Sequence, residues 1–179
     1  MPGIIGRPIG APLSTGASTQ ALQPGALTDT PVIYQPEAFF SIPFYPDGDI
    51  STGTWRNELE QTTNLYASID ETTPDDSDYI RSGDFPTVDV CELSLNDQSL
   101  YLFGEPIVVS YRYKKVDTTV GTSLALTVRL MEGPYTIAEW THTGISTSYV
   151  VAEQTLTTAE AQSISNQADL SLEFEATYS

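Results

Sequence analysis

Period-two alternation constrains this chain more than any other feature. In ADLSLEFEATY (168–178), Leu170, Leu172, Phe174 and Ala176 alternate with Asp169, Ser171, Glu173, Glu175 and Thr177. In SLALTVRLM (123–131), Leu124, Leu126, Val128 and Leu130 alternate with Ala125, Thr127 and Arg129. Successive side chains of a strand point to opposite faces, so both segments read as half-buried antiparallel strands with one wet face. IVVSYRYKKV (107–116) follows the same rule, with Val109, Tyr111 and Tyr113 opposite Arg112 and Lys114. NLYASI (64–69), DYIRSG (78–83), TVDVCELSL (87–95), YTIAEWTHT (135–143) and SYVVAEQTL (148–156) complete a count of eight. Strands in that number and spacing predict an all-β fold, an antiparallel jelly-roll-like β-sandwich.

Two local signals punctuate the alternation. Glu132-Gly133-Pro134 reads as the hairpin turn between strands 123–131 and 135–143. Thr157-Thr158-Ala159-Glu160 fits a capping box and predicts one short helix before the last strand. With Thr157 as N-cap, that helix runs about two turns through Ala161 and Ile164 toward Asn166. Its expected role is to carry the chain across one end of the sandwich.

The first 36 residues follow no such pattern. They carry one base (Arg7), one acid (Asp29), six of the twelve prolines and five of the twelve glycines. Residues 37–179 hold the remaining 6 bases and 23 acids, and the whole chain has a net charge of −17. Prolines remove backbone donors, and nothing in the segment repeats with helical or strand period. Ile4, Ile5, Ile9, Leu13, Leu22, Leu27, Val32, Ile33 and Tyr34 nevertheless make it too apolar for a solvated tail. Two regions are therefore expected: an extended docking arm (1–36) that lies on another subunit, and a β-sandwich domain (37–179).

Composition narrows the function classes. A charge of −17 argues against nucleic acid, whose phosphates need a basic surface. No stretch of about 18 apolar residues is present, so no membrane partner is expected, and no Sec signal is recognised at the N-terminus. Cys91 stands alone, which excludes an internal disulfide and suggests a buried thiol. No cofactor motif is read.

The chemistry-bearing clusters are few. Asp70, Glu71, Asp75, Asp76 and Asp78 place five carboxylates in nine residues. Calcium takes six to eight oxygen ligands, which makes Asp70, Asp75, Asp76 and Asp78 a candidate calcium loop. The spacing lacks the glycine of an EF-hand, and Thr73-Pro74-Asp75-Asp76 reads more readily as a solvated turn. Asp47 and Asp49 in YPDGDIS are first of all a turn signal. His142, the only histidine, lacks a G-x-S-x-G elbow to serve, and no catalytic residue is assigned. Paired carboxylates of glycoside hydrolysis are a spatial arrangement that sequence leaves open. Tyr34, Phe39, Phe40, Phe44, Tyr45 and Trp55 cluster ahead of the first clear strand. Burial is their expected fate, and a sugar-binding platform the alternative; Trp140 is expected in the core.

Residues 64–83, NLYASIDETTPDDSDYIRSG, and residues 124–179 resemble a family of structural proteins from tailed bacteriophages and prophages. The shared features are Trp55 upstream of the TPDD-DYI segment, then YRYKK and IAEWTHT strands. A closing LTTAEAQSISNQADLSLEFEA completes the resemblance, which spans about two-thirds of the chain. It implies a jelly-roll-like sandwich located in the virion. The expected protein is therefore non-enzymatic: a capsid decoration or head-fibre-type protein anchored by its arm. A neck, tail or baseplate component is the alternative, and a carbohydrate-binding adhesion module with a host-surface glycan as partner is the third reading. Its expected partners are other virion structural proteins and further copies of itself, a trimer by analogy with phage decorations.

Overall fold

A computed structural model describes residues 44–70, 75–84, 86–97, 106–116 and 123–178. The strands are β1 (Pro46–Ser51), β2 (Arg56–Asn57), β3 (Ile80–Arg81), β4 (Asp89–Leu95), β5 (Val108–Tyr113), β6 (Leu124–Glu132), β7 (Tyr135–His142), β8 (Val150–Thr155) and β9 (Leu170–Tyr178). The helix α1 (Thr158–Ser163) precedes β9. β1, β4, β9, β6 and β7 form one antiparallel sheet in that order, while β5 pairs with β8 and β2 with β3.

The pairing is nested. β6 and β7 form the inner hairpin, β5 pairs with β8 around it, and β4 with β9 around both. β9 then pairs with β6 and closes the sheet. This is the winding of a jelly roll, with three nested pairs where an eight-stranded one has four. The all-β sandwich expected from the alternation is the observed fold, with its two layers unequal in width.

The faces fall where alternation puts them. Leu126, Val128 and Leu130 of β6, and Leu170, Leu172, Phe174 and Ala176 of β9, belong to the core. One part of the core joins Trp55 and Leu65 to Cys91, Leu93, Val128, Phe174 and Ala176. The other joins Leu95, Leu130, Ala138 and Leu170 to Val109 and Leu156 of the ribbon side, with Trp140 packed against both. The β5–β8 ribbon thus covers one half of the inner face, and the chain between β1 and β4 covers the other.

Two strand expectations need correction. Residues 64–69 are not a strand: Leu65–Ser68 is a 3-10 helix entered through Asn64 at φ 57°. Asp49 accepts hydrogen bonds from the Leu65 and Tyr66 amides at 3.1 and 3.0 Å, which favours the helical turn over an extended segment. Residues 78–83 shrink to the two-residue β3. Conversely, PDGDIS forms β1, where a Cβ at position 48 would meet Ser94 Oγ at 2.8 Å and displace the hydroxyl that bonds Asp47. The β6–β7 turn is as expected, with Gly133 at φ 52°. The Thr157–Glu160 capping box is also present, and α1 ends at Ser163 rather than Asn166. Ala161 and Ile164 pack on the second core cluster, so this segment does carry the chain over the sandwich end.

Candidate functional site

Residue register assembles a charged row on the outer face of the five-stranded sheet. Ser51 of β1 lies opposite Glu92 of β4, which lies opposite Glu173 of β9. Glu173 lies opposite Arg129 of β6, and Arg129 opposite Glu139 of β7. Arg129 donates to Glu139 and Glu173 at 2.5 Å and to Glu175 at 2.9 Å. Its side chain is only 20% exposed. Burial works against the charge, but hydrogen bonds to Glu139, Glu175 and Glu173 outweigh it and hold the guanidinium pKa above its ordinary value. Without Arg129, three carboxylates would repel one another across neighbouring strands. On the same face Ser171 donates to Glu92 at 2.7 Å and the Thr127 and Thr141 hydroxyls lie 3.0 Å apart, while Val90, opposite Glu175, and Met131, opposite Ser171, are its apolar members.

Other carboxylates act as latches. Asp89 is buried and accepts from the Thr54 amide, the Thr54 hydroxyl and the Gly83 amide at 2.7–2.9 Å. Glu132 accepts from the Ser165 hydroxyl and amide and from the Asn166 amide. The Ser165 hydroxyl, followed by these amides, holds the Glu132 pKa below the usual carboxylate value. Asp49 holds the 3-10 helix in the same manner.

The two layers meet at a polar joint. Tyr111 Oη lies 2.6 Å from His142 Nε2, and Tyr113 Oη lies 3.0 Å from His142 Nδ1. A neutral imidazole has one donor and one acceptor, so the two hydroxyls satisfy it completely. Burial lowers the His142 pKa and raises that of Tyr111 to about 12. Cys91 is fully buried, and burial, reinforced by Asp49, Asp89 and Glu92, pushes its thiol to about 12. A thiol so placed is not a nucleophile at neutral pH.

The acidic segment becomes a turn with protein partners. Asp75 accepts from the Ser77 amide at 2.9 Å and hydroxyl at 2.7 Å, and this holds its pKa below the usual value. Asp76 pairs with Arg112 at 2.6 Å. The Asp78 amide closes the turn onto the Asp75 carbonyl at 3.3 Å, and Asp70 lies beyond residues 71–74, which are outside the described set. No group of three or more metal-ligating side chains is found among the described residues. Trp55 is 6% exposed and packs 6.2 Å from the Phe174 ring, which removes it from any sugar platform. Phe44 packs partly buried on the second core cluster. Phe39, Phe40 and the arm residues Ile4, Ile5, Ile9, Leu13, Leu22, Leu27, Val32, Ile33 and Tyr34 lie outside the described residues.

Sequence reasoning missed one further group, at the end of β5. Arg112 and Lys114 flank the Tyr149 ring, at 4.8 and 4.1 Å from its centroid. Tyr149 Oη donates to the Asp76 carbonyl at 3.2 Å. The YRYKK run was the available signal, but only the β5–β8 pairing brings Tyr149 to it. No protein-family model, curated protein or solved structure matches this chain.

Proposed function

We propose that this chain is a non-enzymatic structural protein of a tailed-bacteriophage virion, a capsid decoration or head-fibre-type component docked through its N-terminal arm. The observation that carries the reading is the commitment of its reactive side chains to holding shape. The only histidine is bonded at both ring nitrogens, and the only cysteine is a buried thiol with a raised pKa. Arg129, Asp49, Asp89 and Glu132 join strands or hold loops. Such a frame suits a module that binds other proteins and keeps its form while doing so. The resemblance of residues 64–83 and 124–179 to phage structural proteins suggests the virion context, and the apolar arm, with one base and one acid, suggests the anchor.

Quantitative mass spectrometry of purified particles from a producing strain tests this. The chain is expected at a fixed ratio to the major capsid protein, and deletion of residues 1–30 is expected to remove it from particles. Particles that lack the intact chain would overturn the virion reading. Normal incorporation of the truncated chain would overturn the anchor. Its ratio to tail and head proteins separates decoration of the head from a neck, tail or baseplate position.

A further inference from the structure

The charge inventory of the described residues has one imbalance. Arg56, Arg81, Arg112 and Arg129 each pair with a carboxylate. Among the described residues Lys114 and Lys115 pair with none, and Lys114 instead rests over the Tyr149 ring. Beside them Val116 is 78% and Val151 57% exposed, and Asp76, the partner of Arg112, borders the same group. Arg112 lies opposite Val151, and Arg112 and Lys114 both rest on the Tyr149 ring, so these four share the outer face of the ribbon; Lys115, whose amide bonds the Ser146 carbonyl at 2.8 Å, follows at its end. Tyr149 is fixed by two cations and a hydrogen bond before any partner arrives. Tyr149 and Arg112 are residue types enriched at interface centres, and Lys114 and Lys115 suit the charged rim around them.

We infer that this patch docks on the acidic outer sheet face of a second copy of the chain. Local charge complementarity selects the partner: the outer sheet face sets Glu92, Glu139, Glu173 and Glu175 around a single cation, Arg129, opposite in sign to Lys114 and Lys115. The basic patch lies on the β5–β8 layer and the acidic face on the other layer, so the contact is heterologous. Repeated, it closes a ring or extends a filament, depending on the rotation between copies. The inference deepens the assembly reading and rests on it.

Sedimentation velocity of the full chain over a concentration series tests it. Association is expected at about 0.15 M salt, where a Debye length of about 8 Å screens the overall negative charge but not the contact, and is expected to weaken toward about 1 M salt, where the Debye length falls to about 3 Å. Lys114→Glu/Lys115→Glu should weaken association by about 100-fold or more, with circular dichroism unchanged. Lys114→Ala/Lys115→Ala should weaken it less, and Glu139→Lys should weaken it from the other side. Mixing Glu139→Lys with Lys114→Glu/Lys115→Glu should restore pairwise association. Undiminished association of the lysine variants, a monomeric wild-type chain, or a mixture that stays monomeric would each overturn this contact. None of those outcomes touches the recovery of the chain from particles, so the assembly reading fails or stands separately.

Discussion

The five-stranded sheet and the β5–β8 ribbon handle charge in opposite ways. On the sheet, Arg129 is enclosed by Glu139, Glu173 and Glu175, and Glu132 is turned onto the loop at Ser165 and Asn166. On the ribbon, Lys114 and Lys115 have no carboxylate among the described residues, and Val116 and Val151 stand exposed beside them. Strand register differs too. β1 and β7, at the edges of the sheet, both carry register shifts, whereas β5 and β8 pair without interruption over six residues. Bulges at sheet edges discourage unwanted pairing, so the large sheet is protected at both margins. The lesson is a division of labour: the sheet pairs its buried cation within the fold, and the ribbon end leaves Lys114 and Lys115 without a carboxylate among the described residues.

Substitutions sharpen the comparison, beginning with the core that both layers share. Phe174→Ala removes a ring packed against Trp55 and should cost about 3–5 kcal/mol in denaturant melts. Glu132→Ala strands the Ser165 and Asn166 amides without their acceptor, and should cost about 1–3 kcal/mol by the same measurement. Arg129→Met leaves three carboxylates facing one another and should cost about 1–2 kcal/mol, since part of the cluster is solvent-screened.

The joint between layers predicts a smaller, pH-dependent effect. Burial lowers the His142 pKa in the folded chain, so the unfolded chain takes up the proton first as pH falls. Stability should therefore decline as pH drops below about 6.5, the unfolded value, and level off below the folded pKa. Melting temperatures between about pH 7 and pH 5 check this, because unperturbed carboxylates titrate lower, near 4. His142→Gln should flatten the decline; an unchanged slope in that variant would remove His142 as its source.

How much of this was legible in the sequence depends on whether the determining contact was local. Leu170, Leu172 and Phe174 could be assigned to the core because alternation fixes a face within a single strand. The capping box at Thr157 and Glu160 was legible for the same reason, its partners being three residues apart. Two misreadings share one distant cause. PDGDIS carries a turn signal, and NLYASI looks like a strand, yet Asp49 from β1 reaches the Leu65 and Tyr66 amides and settles both segments. The Arg129 cluster was half legible. Alternation put Arg129, Glu173 and Glu175 on wet faces, but only the adjacency of β6 and β9 brings them together. Tyr149 met Lys114 through strand pairing in the same way.

The division of labour between layers is tested most directly by melting Arg129→Met and Lys114→Glu/Lys115→Glu side by side, at a dilution where both are monomeric. The account predicts that Arg129→Met melts a few degrees below the wild-type chain, because its charge is bonded within the fold. The lysine variant should melt closer to the wild type, since it loses only the exposed Lys114–Tyr149 contact, about 0.5–1 kcal/mol. A lysine variant that melts as low as Arg129→Met would contradict the account, because the ribbon's charges would then also be holding the fold.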